Sequence, residues 1–219
     1  MTFVVAIDGP AGAGKSSSSR ALAARLGLRH VDTGAMYRVV GVLARDAGIA
    51  PDDDLALRRL VDGIVFDEAS ERIVVGGRDL TRAIREGDAG DWASKVSTRG
   101  VVRERMVALQ RRLGQGSGVV MEGRDIGTVV FPDAPVKVFL TAAPRERARR
   151  RAAELRTRGE VVDEEALTAT IAERDRRDSE RVHAPLRAAP DAIVLDTTGL
   201  DLDTVVARLV ALVEPHLRR

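Results

Sequence analysis

The chain contains no cysteine. That excludes disulfides, thiolate metal sites and cysteine nucleophiles, and it gives no sign of an oxidising compartment. Aromatic residues are scarce at 3% of 219 residues, too few for the base-stacking platform of a single-strand nucleic-acid binder. An excess of one charge is also missing. Lys and Arg number 35 against 33 Asp and Glu, a net charge of +2, which argues against nucleic-acid binding driven by overall charge. No apolar run approaches the roughly 18 residues that a membrane helix requires. Met1, Phe3, Val4 and Val5 lead into an acidic turn and a Gly-rich loop, as a first strand does, rather than showing the basic-then-apolar order of a signal peptide. The expectation is a soluble, cytoplasmic protein with neither nucleic acid nor membrane as partner. No apolar face in the pattern demands a second copy, so a monomer is expected.

Hydrophobic residues make up 44% of the chain, enough for one sizeable core with appendages. Short apolar runs alternate with longer helix-period runs: strands over 2–7 and 28–31, helices over 15–26 and 34–47. The rhythm returns at Val119-Val120-Met121, at Val136 to Leu140 and at Ala192 to Leu195. Such alternation predicts an α/β fold with a parallel sheet covered by helices. Two segments break the pattern. Ile64-Val65-Phe66 and Arg72-Ile73-Val74-Val75 flank a polar turn, with Gly76-Gly77 following, and read as a hairpin-bearing flap over 64–93. The stretch 145–181 is highly charged, helical and interrupted near Gly159, the composition of a solvated lid. The core would then comprise 1–63, 94–144 and 182–219.

Gly9-Pro10-Ala11-Gly12-Ala13-Gly14-Lys15-Ser16 matches G-x-x-x-x-G-K-[ST] in full, after a strand and before a helix. Glycines let backbone N–H groups close around phosphate, and the following helix adds its partial positive charge. Lys15 is placed to reach the β- and γ-phosphates of ATP, Ser16 to ligate Mg²⁺, and Ser17 to complete the cofactor-binding set. A three-layer P-loop NTPase fold follows. Since that fold hosts many functions, other residues must choose among them. Asp196-Thr197-Thr198-Gly199 imitates a GTPase switch but follows the last expected strand, and no N-K-x-D guanine reader occurs. It reads as a turn near the adenine.

Asp32-Thr33-Gly34-Ala35-Met36-Tyr37-Arg38 follows the second strand. Glu122-Gly123-Arg124-Asp125-Ile126-Gly127-Thr128-Val129-Val130-Phe131-Pro132-Asp133-Ala134 follows the third, and Glu173-Arg174-Asp175-Arg176-Arg177-Asp178 lies in the charged segment. In this order, over essentially the whole chain, the motifs resemble the bacterial cytidylate kinases, P-loop nucleoside monophosphate kinases. Adenylate kinases usually place G-T after the P-loop lysine, where Ser16-Ser17 stands here. The resemblance implies transfer of the ATP γ-phosphoryl group to CMP or dCMP. It makes 64–93 the monophosphate-binding insertion and 145–181 the lid. It also implies that Thr33 and Arg38 hold the acceptor phosphate, and that Ser94, Arg103 and Asp125 read the cytosine. By the same resemblance Arg124, Arg174 and Arg181 approach phosphate and serve catalysis with Lys15, and Asp178 faces the ribose. Thr33 departs from relatives that carry serine, with the hydroxyl kept, and the flap is short.

Chemistry agrees with those residue types. Cytosine presents an amino donor and two acceptors, which one carboxylate and one guanidinium complement better than they complement uracil. A UMP or other small-acceptor kinase is the nearest alternative, and a nucleotide-gated binding module is the alternative of another class. Arg174, Asp178 and Arg181 at i, i+4 and i+7 share one face of a helix, which is either a cleft wall or an ordinary solvated face with an ion pair. Arginine dominates the basic residues, and its planar fork suits phosphate. In the run Arg145, Arg147, Arg149, Arg150 and Arg151, with Arg156 and Arg158 beyond, one or two arginines are expected on the donor phosphates and the rest in solvent. His30, His183 and His216 are expected to be structural or exposed.

Overall fold

The structure is a computed structural model, and it describes residues 3–66, 73–157 and 159–217. In chain order the elements begin with β1 (Val4–Asp8), α1 (Lys15–Leu26), β2 (Arg29–Asp32), α2 (Thr33–Asp46) and α3 (Asp54–Asp62). The short pair β3 (Val74–Val75) and β4 (Arg78–Asp79) follows, then α4 (Ala89–Val96), α5 (Gly100–Leu113), β5 (Val119–Gly123) and β6 (Val136–Thr141). Last come α6 (Pro144–Arg156), α7 (Glu164–Glu180), β7 (Ile193–Asp196) and α8 (Leu202–Leu217).

The chain forms two compact units, one of residues 1–31 and 114–219 and the other of 32–113. The first is built on a five-stranded sheet of order β2-β5-β1-β6-β7, with parallel register for β1 against both β5 and β6 and for β6 against β7. Strand β1 is buried along its whole length, which is why Val4-Val5-Ala6-Ile7 reads as a continuous apolar run rather than an alternating one. Val5 and Ile7 pack with Leu22 of α1 and with Val205, Leu209 and Val213 of α8, so these two helices cover one face. Fully burying side chains of this size stabilises by about 1.5–3 kcal/mol each. This is the α/β P-loop architecture that the alternation predicts.

The second unit is mainly helical. Its core joins Met36, Val39 and Val40 of α2 with Leu57 of α3, Ala93 and Val96 of α4 and Met106 of α5. Helices α2 and α4 meet at Gly41, where an added Cβ would lie 2.7 Å from the Ala93 amide nitrogen, closer than any side chain tolerates. The expected insertion 64–93 lies inside this larger unit. The expected turn between Phe66 and Ile73 falls largely on 67–72, outside the described residues. Among the described residues the hairpin pairs Val74 with Asp79 and Val75 with Arg78 around Gly76-Gly77. Both glycines have positive φ, 56° and 78°, as a two-residue turn matched to strand twist requires. The glycines therefore make the turn itself rather than following it.

In the charged segment α6 and α7 are two helices broken around Gly159, which has φ 80°. Asp163 caps α7 by accepting from the Glu165 and Ala166 amides.

Candidate active site

In a parallel sheet the strands' carboxyl ends deliver their loops to one edge, where ligands bind. Strands β1 and β5 are neighbours with Asp8 opposite Gly123, so the phosphate loop and the segment from Arg124 leave the sheet side by side. Asp8 joins them. Its two carboxylate oxygens accept from the Ile126 and Gly127 amides, each at 2.8 Å. Beyond, the Val130 amide donates to the Asp125 carbonyl and that of Phe131 to Ile126, giving a widened i→i+5 turn of the kind that recurs at functional sites. Burial raises the Asp8 carboxyl to about 6, even though the two amides favour the charged form.

The loop itself is closed on its lysine. Lys15 is buried and donates to the Pro10 carbonyl at 2.7 Å. Burial, and then the positive charge of Arg124, hold its ammonium well below the ordinary lysine range. Helix α1 begins with no side-chain cap and no acidic residue in its first turn, which leaves its positive N-terminal end to an anion. Gly9 is required by close approach, since a Cβ there would stand 2.0 Å from the Leu140 carbonyl oxygen. Gly12 has φ 77° and faces the backbone of Arg147. Of the expected cofactor-binding residues, Gly9, Pro10, Ala13 and Lys15 are buried, Ala11, Gly12, Gly14 and Ser16 half-buried, and Ser17 exposed.

Ser16 donates to a Glu122 carboxylate oxygen at 2.9 Å, and the other Glu122 oxygen meets His30 Nε2 at 3.0 Å. A hydroxyl beside a carboxylate is a hard-oxygen set suited to Mg²⁺. No group of three or more His, Cys, Asp or Glu able to hold a metal occurs among the described residues. An ion at Ser16 would therefore take most of its oxygens from the nucleotide and water, the usual arrangement for Mg²⁺. His30 thus has a structural partner, while His183 and His216 are exposed.

Arg124, Asp125, Arg174, Asp178 and Arg181 come together in the first unit. Arg124 Nε donates to Asp178 at 3.1 Å, and Arg181 Nη2 stands 3.8 Å from Asp125. Asp125, Asp178 and Arg181 are buried. Burial pushes the Asp178 carboxyl up, but the charges of Arg124, Arg174 and Arg181 outweigh it and hold the group below its ordinary value. The i, i+4, i+7 face of α7 and the residue that ends it is thus an arginine-rich wall around a buried carboxylate, not a solvated stripe. Ala184, with φ 52°, is the one non-glycine residue of positive φ among those described, and its carbonyl accepts from Arg181 Nε at 2.7 Å. A strained turn therefore orients that guanidinium.

The remaining expected substrate residues lie in the second unit. Asp32 caps α2 by accepting from the Ala35 amide at 3.1 Å, and its other oxygen is 3.7 Å from Arg38. Thr33 and Ser94 are buried. Arg103 is 5% exposed, its guanidinium 5.6 Å from the centre of the Tyr37 ring and its Nη1 donating to the Ser97 carbonyl.

Several contributors escape a reading by motif. Asp8 is visible only as the acid before the loop, Glu122 as the last acid before Gly-Arg-Asp, and Tyr37 as an unassigned aromatic between Thr33 and Arg38. Two arginines of the charged run are committed rather than solvated. Arg147 donates to Ala11 and Ala142 carbonyls and pairs with Asp175, and Arg150 donates to the hydroxyl and carbonyl of Thr197. Thr197 is buried and reaches the Ala13 carbonyl, so the Asp196–Gly199 turn braces the phosphate loop. Arg158 lies outside the described residues.

Comparison with known proteins agrees with this geometry. The cytidylate kinase family model matches residues 5–215. A cytidylate kinase of Geobacter sp. (strain M21) is 48% identical over 98% of this chain and 94% of its own length. A bifunctional pantoate ligase/cytidylate kinase of Synechococcus sp. (strain JA-3-3Ab) is 49% identical over 99% of this chain and 41% of its own length. Among solved structures, an uncharacterised protein from Eubacterium ventriosum shares the fold, with a TM-score of 0.53, 14% identity and coverage of 97% and 98% of the two chains. The chain belongs to the cytidylate kinase family.

Proposed function

We propose that this protein transfers the γ-phosphoryl group of ATP to CMP or dCMP, giving ADP and CDP or dCDP. One observation carries the reading: the phosphate loop and the Arg124, Asp125, Arg174, Asp178, Arg181 cluster converge in one unit, closely enough that Arg124 and Arg174 act on the charge of Lys15. Phosphoryl transfer passes through a loose transition state with charge spread over the equatorial oxygens, so catalysis is mostly positioning and electrostatic stabilisation. Lys15 and the amides of the loop hold the donor phosphates, and Arg124, Arg174 and Arg181 surround the transferring group and the acceptor phosphate. The attacking phosphate oxygen is largely ionised near neutral pH, so no side chain has to remove a proton.

Mg²⁺, held through Ser16 with Glu122 beside it, would bridge phosphate oxygens and offset their charge. Thr33 and Arg38 are assigned to the acceptor phosphate, and Asp178 to the sugar. Asp125 accepts from the cytosine amino group, with Arg103 and Ser94 as further readers of the base. Uracil would set a carbonyl against the Asp125 carboxylate, a mismatch of about 1–3 kcal/mol or one to two decades. We also assign the protein to the cytoplasm as a monomer. No helix among the described residues is long and apolar enough to cross a membrane.

The test is ADP release with Mg-ATP and each of CMP, dCMP, UMP, AMP and GMP in turn. Turnover concentrated on CMP and dCMP is expected. Faster turnover with another acceptor would remove the base assignment, and acceptor-independent behaviour would indicate a binding module. Asp125→Asn should lower the CMP:UMP preference by about tenfold, and an unchanged ratio would take Asp125 out of base recognition.

A further inference from the structure

Arg147 and Asp175 belong to no step of the chemistry above, yet both are withdrawn from solvent, at 7% and 20% side-chain exposure. Their contacts form a chain. The Arg147 guanidinium donates through Nε to the Ala142 carbonyl at 3.0 Å, through Nη1 to the Ala11 carbonyl at 3.1 Å, and through Nη1 to Asp175 Oδ2. Asp175 Oδ1 is buried with no hydrogen-bond partner among the described residues, so compensation of this carboxylate rests on Arg147. Around Gly12 the fit is close: a Cβ there would stand 3.0 Å from Arg147 Cβ.

Two consequences follow. A trans peptide points its C=O and N–H in opposite directions. Anchoring the Ala11 oxygen on Arg147 therefore turns the Gly12 amide away from Arg147, while the preceding Pro10 oxygen turns to Lys15. On α7, Asp175 immediately follows Arg174, and neighbours on a helix lie about 100° apart around the axis. Fixing the direction of Asp175 fixes the rotation of α7 and with it the face carrying Arg174 and Asp178.

We propose that Arg147 and Asp175 are a positioning pair: one guanidinium sets the peptide orientation of the phosphate loop and, through Asp175, the rotational phase of the arginine wall that surrounds the transferring phosphoryl group. The inference rests on the kinase reading for its kinetic consequences, but not for its structural ones. It divides the labour of the arginine-rich helix α6, where Arg149 and Arg151 pair with Glu146 and Glu154 in the open and Arg147 is committed to the site's architecture.

The experiment uses Asp175→Asn, a near-isosteric change at a partly exposed helical position, and Arg147→Lys, which keeps the charge but loses the fork. Turnover with CMP, ADP binding by calorimetry without acceptor, and hydrogen exchange are measured on each. In Asp175→Asn, kcat should fall about tenfold or more while the Kd for ADP stays within about threefold, because Arg147 still holds the loop. Exchange should quicken over 164–180. In Arg147→Lys the Kd for ADP should also rise, by about tenfold, and the double variant should lose less than the product of the two single losses.

An Asp175→Asn protein with parental kcat and parental exchange would overturn the pair. So would one whose ADP affinity falls as far as its kcat, since that is general damage to the site. A parent protein without CMP-dependent turnover would sink the kinase reading instead, and the exchange and ADP measurements would still decide the pair.

Discussion

The two compact units treat charge differently. In the first, Asp8, Lys15, Glu122, Asp125, Lys137, Arg147, Asp178 and Arg181 are all buried, and in the second Arg103 is the one buried charged residue among those described. The second unit keeps its ion pairs in solvent, as with Arg58 and Glu104 at 48% and 70% exposure, or Arg99 and Asp54. Taking a charge out of water costs several kcal/mol even in a relaxed interior, and pairing offsets that only when the geometry is good. A cluster of this size is therefore a poor way to stabilise a fold and a good way to prepare a site, because its dipoles and charges are already oriented before a phosphate arrives. The second unit contributes a conventional apolar core with a few buried polar groups, Thr33, Ser94 and Arg103, set into it.

Three experiments press on that contrast. The largest effect belongs to Lys15→Ala, which should lower turnover by about 10³-fold or more, since it removes the charge at the reacting phosphates. The same change deletes a buried charge whose ammonium form burial already disfavours, so thermal stability should hold or rise. Near-parental turnover would break the assignment of the donor site, and a large loss of stability would show that the cluster does serve the fold.

Asp8→Asn comes second and reads through pH. The folded-state value of about 6 lies above the ordinary 3.8, so between those values the folded protein binds more protons than the unfolded chain. Stability carried by this group therefore falls as pH rises through about 4 to 6. Acidification should stabilise the parent relative to Asp8→Asn by about 3 kcal/mol in total, at 1.36 kcal/mol per unit. The charges that share its surroundings are Asp125 and Lys15. Urea titrations of both proteins at pH 7, 5 and 4 check this, and parallel pH profiles would refute it.

The smallest effect is expected from Arg58→Ala, which opens an exposed pair and should change unfolding free energy by about 0–1 kcal/mol without altering turnover. A larger change would mean that the surface charges of the second unit are not the inert set they look.

Much of this was legible in the sequence, for identifiable reasons. The phosphate loop is local: eight consecutive residues between a strand and a helix specify it, and β1, α1, β2 and α2 fall close to where apolar periodicity sets them. The arginine face of Arg174, Asp178 and Arg181 is likewise a matter of spacing within one helix and its end. What stayed hidden depends on pairing between distant segments. Asp8 becomes meaningful only once β1 and β5 are neighbours, and Glu122 only once its strand ends opposite Ser16. Arg147 looks like any other member of an arginine run, because nothing in Arg-Glu-Arg-Ala-Arg-Arg-Arg says which guanidinium meets the Ala11 carbonyl. The hairpin is a subtler case. Two apolar runs around a polar stretch and two runs around Gly76-Gly77 are both reasonable turns, and the positive φ that only the glycines accept without strain favours the second.

The second unit carries the only tryptophan of the chain, Trp92 on α4. Its indole N–H donates to Asp88 at 3.0 Å, Asp88 pairs with Arg45 of α2, and Lys95 lies 6.0 Å over the ring. Fluorescence excited at the red edge of the absorption band consequently comes from a single chromophore bound to the α2–α4 packing. Its wavelength and polarisation are an optical gauge of the second unit alone, and setting them beside far-ultraviolet dichroism, which sums over every helix, would separate the melting of one unit from that of the other without any label.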